Sequence, residues 1–282
     1  MQKRILTIQD ISCVGQCSLT VALPIISACG VEASILPSGI LSTHTAGFTG
    51  FTVLSMTEEF PKIMAHWEKE KITFDGVYTG YILKDQIDYV IDICKKFNKG
   101  YKIIDPVMAD HGAFYYGFDA AFAKDMARLT NGADVILPNL TEAAFLLGET
   151  PVTEGYDKEY IEVLVRRLAV ELNVKTVILT GVSFAPDELG IACYNESTDE
   201  VKYYFSERIV RNFHGTGDIY SSSFVGALMK GFTAFDSAKI AVDFTVEAMK
   251  RTMPYAKEHW YGVFFESALK DLANIVNGDD NE

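Results

Sequence analysis

Short apolar runs alternate with longer helical patterns from one end of this 282-residue chain to the other, and few architectures accept that rhythm. Residues 5–9, 33–36, 76–79, 102–104, 135–137 and 176–179 read as buried strands. Between them, residues 18–29, 57–69, 84–97, 119–129, 141–147 and 157–172 read as helices; Ile87, Val90, Ile91 and Cys94 share one face of the third. Pro24 marks a turn or kink in the first helix. Thr57 caps the second, with Glu58 and Glu59 in its opening turn. Strand, helix and strand repeated this often predict a mainly parallel sheet covered by helices on both faces. The rhythm breaks once, at 190–194 and 201–205, which six polar residues separate into an antiparallel edge hairpin. Residues 217–230, 234–252 and 264–276 complete the chain as helices. No linker, repeat or low-complexity tract interrupts the pattern, so one domain over 1–282 is expected, with Asp279-Asp280-Asn281-Glu282 as a frayed tail.

Charge narrows the partners. With 25 basic against 38 acidic residues the net charge is −13, which repels nucleic acid and anionic membranes. A nucleotide is still admissible, because a local nest of backbone N–H groups and a metal ion can override the global field. Cysteines 13, 17, 29, 94 and 193 are odd in number and scattered, as expected of reduced, mostly buried thiols in a cytoplasmic protein. The first residues pass directly into an apolar strand without the apolar core of a signal peptide. No apolar run approaches the ~20 residues of a membrane span.

In a parallel sheet of this kind ligands bind beyond the carboxyl ends of the strands. The residues at those exits are Asp10, Thr79-Gly80-Tyr81, Asp105-Pro106-Val107-Met108, Pro138-Asn139-Leu140-Thr141-Glu142 and Thr180-Gly181. Chemistry is densest in Gly215-Thr216-Gly217-Asp218, which opens a helix. Two glycines let the backbone curl so that several N–H groups meet at the helix N-terminus, a ready anion site. Asp218 is an odd neighbour for a pure anion trap, but it suits a base that takes the proton of an alcohol attacking a phosphoryl group held there. The plain alternative is a helix capped by Thr216, with Asp218 complementing the helix dipole.

Each other exit also has two readings. Asp105 can bind Mg²⁺, directly or through water, or can simply form a turn before Pro106. Asn139 and Glu142 can position metal and phosphate, or form a capping box. Thr180 and Gly181 can meet a nucleotide phosphate or make a plain turn. Asp10 can bind substrate hydroxyls or cap the next helix. The loop holding Thr43 and His44 can line a small aromatic substrate. His111, Tyr115 and Tyr116 lie in a Gly-flanked loop able to fold over a site, and His259-Trp260 reads as packing. There is no Gly-x-x-x-x-Gly-Lys-Ser/Thr loop, no Gly-x-Gly-x-x-Gly after the first strand, and no zinc-type cluster.

Taken together, Ile8-Gln9-Asp10 with Gly15, Leu41-Ser42-Thr43-His44-Thr45, Thr79-Gly80-Tyr81, Asp105-Pro106-Val107-Met108, Asn139-Leu140-Thr141-Glu142 and Gly215-Thr216-Gly217-Asp218 resemble the pyridoxal kinase family of the ribokinase-like superfamily. The resemblance covers about residues 4–255. It implies an α/β three-layer sandwich and transfer of the ATP γ-phosphate to the 5′-hydroxymethyl of pyridoxal, pyridoxine or pyridoxamine. On this resemblance Asp218 is the base, and the N–H groups of Gly215, Thr216 and Gly217 form the anion hole. Asp105 and Glu142 help hold Mg²⁺, with Asn139 nearby. Thr180 and Gly181 touch the ATP phosphates, while Asp10, Thr43, His44 and Tyr81 surround the pyridine ring. It further implies K⁺ dependence and a homodimer. Asp10 stands where the better-known pyridoxal kinases commonly have serine, and Ile11-Ser12-Cys13-Val14 replaces a His-containing segment. Hydroxymethylpyrimidine kinases, which share the fold and the Asp-Pro-Val-Met stretch, are the nearest enzymatic alternative. A catalytically silent protein that binds a B6 vitamer or nucleotide is the alternative of another class.

Overall fold

Along each central strand, successive apolar residues turn to opposite faces, and this alternation sets the layers. In β1 (Arg4–Ser12) Leu6 and Ile8 enter one buried cluster while Ile5 enters another. The same division separates Val77 from Tyr78 in β4 (Phe74–Thr79), Ile104 from Ile103 in β5 (Asn98–Ile104), and Leu179 from Ile178 in β9 (Thr176–Val182). The structure is a computed structural model describing residues 2–278, so the acidic tail at 279–282 lies outside the described residues.

With β2 (Glu32–Leu41), β3 (Val53–Ser55), β8 (Val135–Ile136), β10 (Glu188–Asn195) and β11 (Glu200–Glu207), these strands form one sheet in the order β11-β10-β9-β8-β5-β4-β1-β2-β3. The six strands from β9 to β2 run parallel. The hairpin β10–β11 lies antiparallel at one edge, where the sequence places it. β3 adds an antiparallel strand at the other edge. Three exposed residues carry no readable period, which is why the sequence hides it.

Helices α2 (Phe60–Lys69), α3 (Ile87–Lys96), α4 (Ala120–Thr130), α5 (Leu140–Leu146) and α6 (Lys158–Glu171) cover the face bearing Leu6 and Ile8. Helices α1 (Leu19–Ala28), α7 (Thr216–Met229) and α8 (Ala234–Thr252) cover the other, and α9 (Leu269–Asn277) packs outside them through Leu272 and Val276. Two helix starts differ from the sequence reading. Thr57–Glu59 is a 3-10 turn, and α2 begins at Phe60 with Pro61 in its first turn, where a missing N–H costs nothing. α9 starts at Leu269 after another 3-10 turn, and Pro24 lies within α1. Between β5 and α4, the strands Ala109–Asp110 (β6) and Ala113–Phe114 (β7) pair as a short hairpin turning on His111 and Gly112, both at positive φ.

α7 is buried on every side from Ile219 to Met229, so it tolerates little change. A Cβ at Gly226 would stand 2.4 Å from Cys29 Sγ and 2.8 Å from Cys29 Cβ. Gly226→Ala gains about 1 kcal/mol of helix propensity but incurs overpacking of about 1–3 kcal/mol against α1. A lowered melting temperature is therefore expected in thermal denaturation, the reverse of the usual Gly→Ala effect inside a helix.

Candidate active site

The parallel strands end together, and their exits are stitched into one rim. Gly80 N–H donates to Ile8 O (3.1 Å), Asp105 N–H to Thr79 O (3.1 Å), Leu137 N–H to Ile104 O (3.0 Å) and Thr180 N–H to Pro138 O (2.9 Å). Asp10, Tyr81, Asp105, Asn139, Glu142 and Thr180 thus stand along one edge of the sheet. α7 brings its N-terminus to the same edge, because Ser221 on its second turn donates to Asp105 Oδ2 (2.7 Å).

The start of α7 is not the plain cap that Thr216 offers. Gly215, at φ 81°, is the N-cap, and among the described residues no side chain caps the helix. The Thr216 hydroxyl turns back toward the Phe213 carbonyl (3.4 Å). The first-turn N–H groups are therefore left to an external acceptor. The loop before α1 presses on this turn: a Cβ at Gly215 would lie 2.0 Å from the Gln16 carbonyl oxygen. That loop also meets Asp218, whose carboxylate faces the Ser18 N–H and the Cys17 thiol. Burial, and then the charge of Asp10, push the Asp218 carboxyl up to about 7. Ser18 presents its N–H from a backbone at φ 55°, ψ −130°, rarely taken by a residue with a side chain. Cys17 is held protonated by burial and by the charges of Asp218 and Asp10, so it faces the site as a thiol rather than a nucleophile.

Asp105 and Glu142 are both buried, and burial raises both carboxyls; each also feels another carboxylate, Asp218 for Asp105 and Asp105 for Glu142. The capping box is present. Asn139 Oδ1 accepts from the N–H groups of Thr141 and Glu142 (both 2.9 Å), and Glu142 Oε2 accepts from Asn139 N–H (3.0 Å). Glu142 Oε1 accepts from Met108 N–H (3.1 Å), and Asn139 Nδ2 donates to the Ala109 carbonyl (2.8 Å). Both side chains thereby fix the loop that follows Asp105. Among the described residues no three His, Cys, Asp or Glu side chains are arranged around an ion. A magnesium ion still fits, since it keeps several waters and takes one or two carboxylates besides phosphate oxygens. Two buried carboxylates whose ionised forms are destabilised are the donor set such a cation relieves. Tyr115, which the sequence leaves undecided beside His111 and Tyr116, stands near Glu142, Asp110 and Asp105; partial burial and those charges raise its phenol.

Thr180 and Gly181 are not the end of a strand. β9 runs on to Val182, and Gly181 steps out of register opposite Gly190 and Ile191 at φ +77°, with nothing within 4 Å of where a Cβ would be. Only a residue free at positive φ makes such a bulge, and it leaves bare backbone facing open space.

On the β1 side, Asp10 is buried and accepts from Ser12 Oγ (2.9 Å); desolvation raises it. Tyr81 stands near enough for the Asp10 charge to help burial raise its phenol to about 12. Thr43 Oγ1 is buried without a partner among the described residues. His44 is fully committed: Nδ1 accepts from Ala46 N–H (3.2 Å) and Nε2 donates to the Tyr261 carbonyl (2.7 Å), so its polar edge binds protein. Its ring packs edge-on to Phe48 at 4.9 Å and lies 5.4 Å from His214; Trp260 packs on Phe48 at 4.7 Å. Gln16 accepts from His259 Nε2 (2.7 Å) and donates to Glu266 (2.6 Å). These contacts strap residues 259–266 onto the loops after β1 and β2. The sequence gives no sign of the parts played by Cys17, Ser18, His214 and Ser221, because each meets its partner only across the fold.

The phosphomethylpyrimidine kinase family matches residues 23–262 of the chain. A crystal structure of a Bacteroides thetaiotaomicron VPI-5482 protein assigned as a phosphomethylpyrimidine kinase, in a form with pyridoxal, superposes with a TM-score of 0.91 at 34 % identity, covering 96 % of each chain. Pyridoxal kinase from Lactobacillus plantarum superposes with a TM-score of 0.90 at 28 % identity over all of both chains. The thiamine biosynthetic bifunctional enzyme of Arabidopsis thaliana is 24 % identical over 282 residues, 92 % of this chain and 50 % of that protein. The chain spans about half the length of the plant relatives it matches. Among the described residues no helix is long and apolar enough to cross a membrane.

Proposed function

The chain belongs to the phosphomethylpyrimidine kinase family, and from that premise we propose that it transfers the γ-phosphoryl group of ATP to the 5′-hydroxymethyl group of a vitamin B6 vitamer. The observation that carries this reading is Asp218: a carboxyl raised to about 7, one turn inside a helix N-terminus whose donors no side chain takes. A base of that basicity beside an anion site is what an alcohol needs to attack a phosphoryl group near neutral pH.

Asp218 accepts the hydroxymethyl proton as the alcohol oxygen bonds to the γ-phosphorus. The bond from that phosphorus to the β–γ bridging oxygen breaks, and ADP leaves with the electron pair. N–H groups of Gly215, Thr216 and Gly217 meet the charge on the transferred group. Magnesium bound at Asp105, and through water at Glu142, would neutralise phosphate charge there. The bare backbone of Gly181, with Thr180, faces the nucleotide phosphates. Asp10, Tyr81 and Thr43 offer the acceptor ring hydrogen-bonding groups, and His44 supports that wall from behind through its own two hydrogen bonds. The pyridoxal-containing relative favours a B6 acceptor over hydroxymethylpyrimidine.

The test is MgATP-dependent phosphorylation of pyridoxal, pyridoxine, pyridoxamine, hydroxymethylpyrimidine and ribose, with and without K⁺. Turnover of a B6 vitamer at least 10-fold above the pyrimidine supports the proposal. Turnover of the pyrimidine alone keeps the reaction and replaces the acceptor. Silence on all five, with ligand still bound, leaves a binding protein.

A further inference from the structure

Asp105 is placed by very little of its own surroundings. Its N–H is committed to Thr79 O, the following residue is Pro106 without an N–H, and among the described residues its carboxylate accepts one hydrogen bond, from Ser221 Oγ to Oδ2 at 2.7 Å. Both partners are buried, Asp105 at 6 % and Ser221 at 2 % exposure, and they come from positions 116 residues apart. We infer that Ser221 is a positioning residue for Asp105: it fixes which carboxylate oxygen faces the nucleotide's divalent cation, and how far that oxygen stands from Asp218. The inference rests on the reading of Asp105 as the cation's carboxylate.

The geometry gives the hydrogen bond a purpose beyond packing. Ser221 follows Asp218 by three residues on α7, so the proposed base and the anchor of Asp105 ride on one turn of a rigid helix. Oδ2 accepts from Ser221, and Oδ1, with no hydrogen-bond partner among the described residues, is the oxygen freest for the cation or its water. Hydrogen bonds of this kind orient metal-binding carboxylates, and their loss typically weakens metal affinity by about 10- to 100-fold. The next residue is a built-in control. Ser222 is also fully buried on α7, but among the described residues its hydroxyl has no hydrogen-bond partner, and it does not reach Asp105. Tyr78 lies beneath both serines, facing Ser221, Ser222 and the Asp105 charge from the sheet.

The experiment is direct Mn²⁺ binding to the full chain with a non-hydrolysable ATP analogue, read by electron paramagnetic resonance, with turnover measured separately. Ser221→Ala is expected to raise the Mn²⁺ dissociation constant by about 10-fold or more, Ser222→Ala to leave it within about 2-fold, and Ser221→Thr, which keeps the hydroxyl, to restore it. Wild-type affinity in Ser221→Ala, an equal loss in Ser222→Ala, or no recovery in Ser221→Thr overturns the inference. Wild-type affinity in Asp105→Asn overturns instead the reading of Asp105 on which it rests.

Discussion

Asp218→Asn is expected to lower kcat by roughly 10²- to 10⁴-fold, the range a positioned general base contributes, while acceptor and nucleotide still bind. The amide keeps the shape of the carboxylate and can accept from the Ser18 N–H, so the anion turn stays in place. What disappears is the capacity to take a proton. In the wild-type protein, with the carboxyl at about 7, kcat should rise with pH through that value and level off above it, since the ionised form is the active one. Stability moves the other way. A carboxyl raised on folding favours the native state when protonated, and that contribution is lost as pH rises from the unfolded value, 3.8, through about 7. Asn never ionises and keeps it. The variant should melt above the wild type, with a gap that widens from pH 5 to pH 8 and reaches about 1–2 kcal/mol, less than the full shift implies because the residue keeps some contact with solvent. Turnover and melting curves across that pH range check both signs. A variant that keeps turnover removes Asp218 as the base.

Gly215 and Gly217, two residues apart in the same turn, should fail in opposite ways. Gly217 has an ordinary φ, nothing lies within 4 Å of where its Cβ would stand, and it sits in the first turn of α7. Gly217→Ala should therefore raise stability slightly, by about 0.5–1 kcal/mol from helix propensity. Alanine keeps the backbone N–H, but its methyl takes up open space beside the proposed phosphoryl position, and a group pushed off one anion-hole donor is expected to lose up to about 10²- to 10³-fold in kcat. Gly215→Ala meets strain at φ +81° and a contact of 2.0 Å with the Gln16 carbonyl, backbone that has nowhere to retreat. It should lower the melting temperature markedly and disturb the Ser18 contact to Asp218. Thermal melts beside kcat for the pair make the comparison. Equal loss of stability in both variants would refute the distinction between a donor that serves the ligand and a turn that serves the fold.

Much of this molecule is written locally. Strand and helix alternation is a matter of neighbours a few residues apart, so the parallel sheet, both helical layers and the β10–β11 hairpin are legible from the chain. So are the starts of α4 and α6, where Asp119 and Asp157 each accept from the N–H three residues on. The strand exits are legible because polar and glycine residues stand out after apolar runs. What joins those exits is not. Cys17 and Ser18 reach Asp218 across about 200 residues, and Ser221 reaches Asp105 across 116. No pattern in one sequence encodes such a pairing. His44 shows the opposite hazard: its residue type suggests ligand binding, yet both ring nitrogens are consumed by Ala46 and Tyr261. For Asn139 and Glu142 the two readings are not exclusive. The capping box holds the loop after Asp105, and the same carboxylate stands beside the Asp105 charge.

The strap from residues 259–266 across the loops after β1 and β2 has a consequence for the life of the newly made chain. Gln16 waits for His259 and Glu266, and His44 waits for Tyr261. During synthesis the sheet can grow from its N-terminal strands, and the anion turn can form once α7 emerges. The acceptor wall cannot close until residues 259–266 have left the ribosome. On the proposed function, a nascent chain with its anion turn formed still lacks a walled acceptor site, and competence for transfer waits on the arrival of residues 259–266.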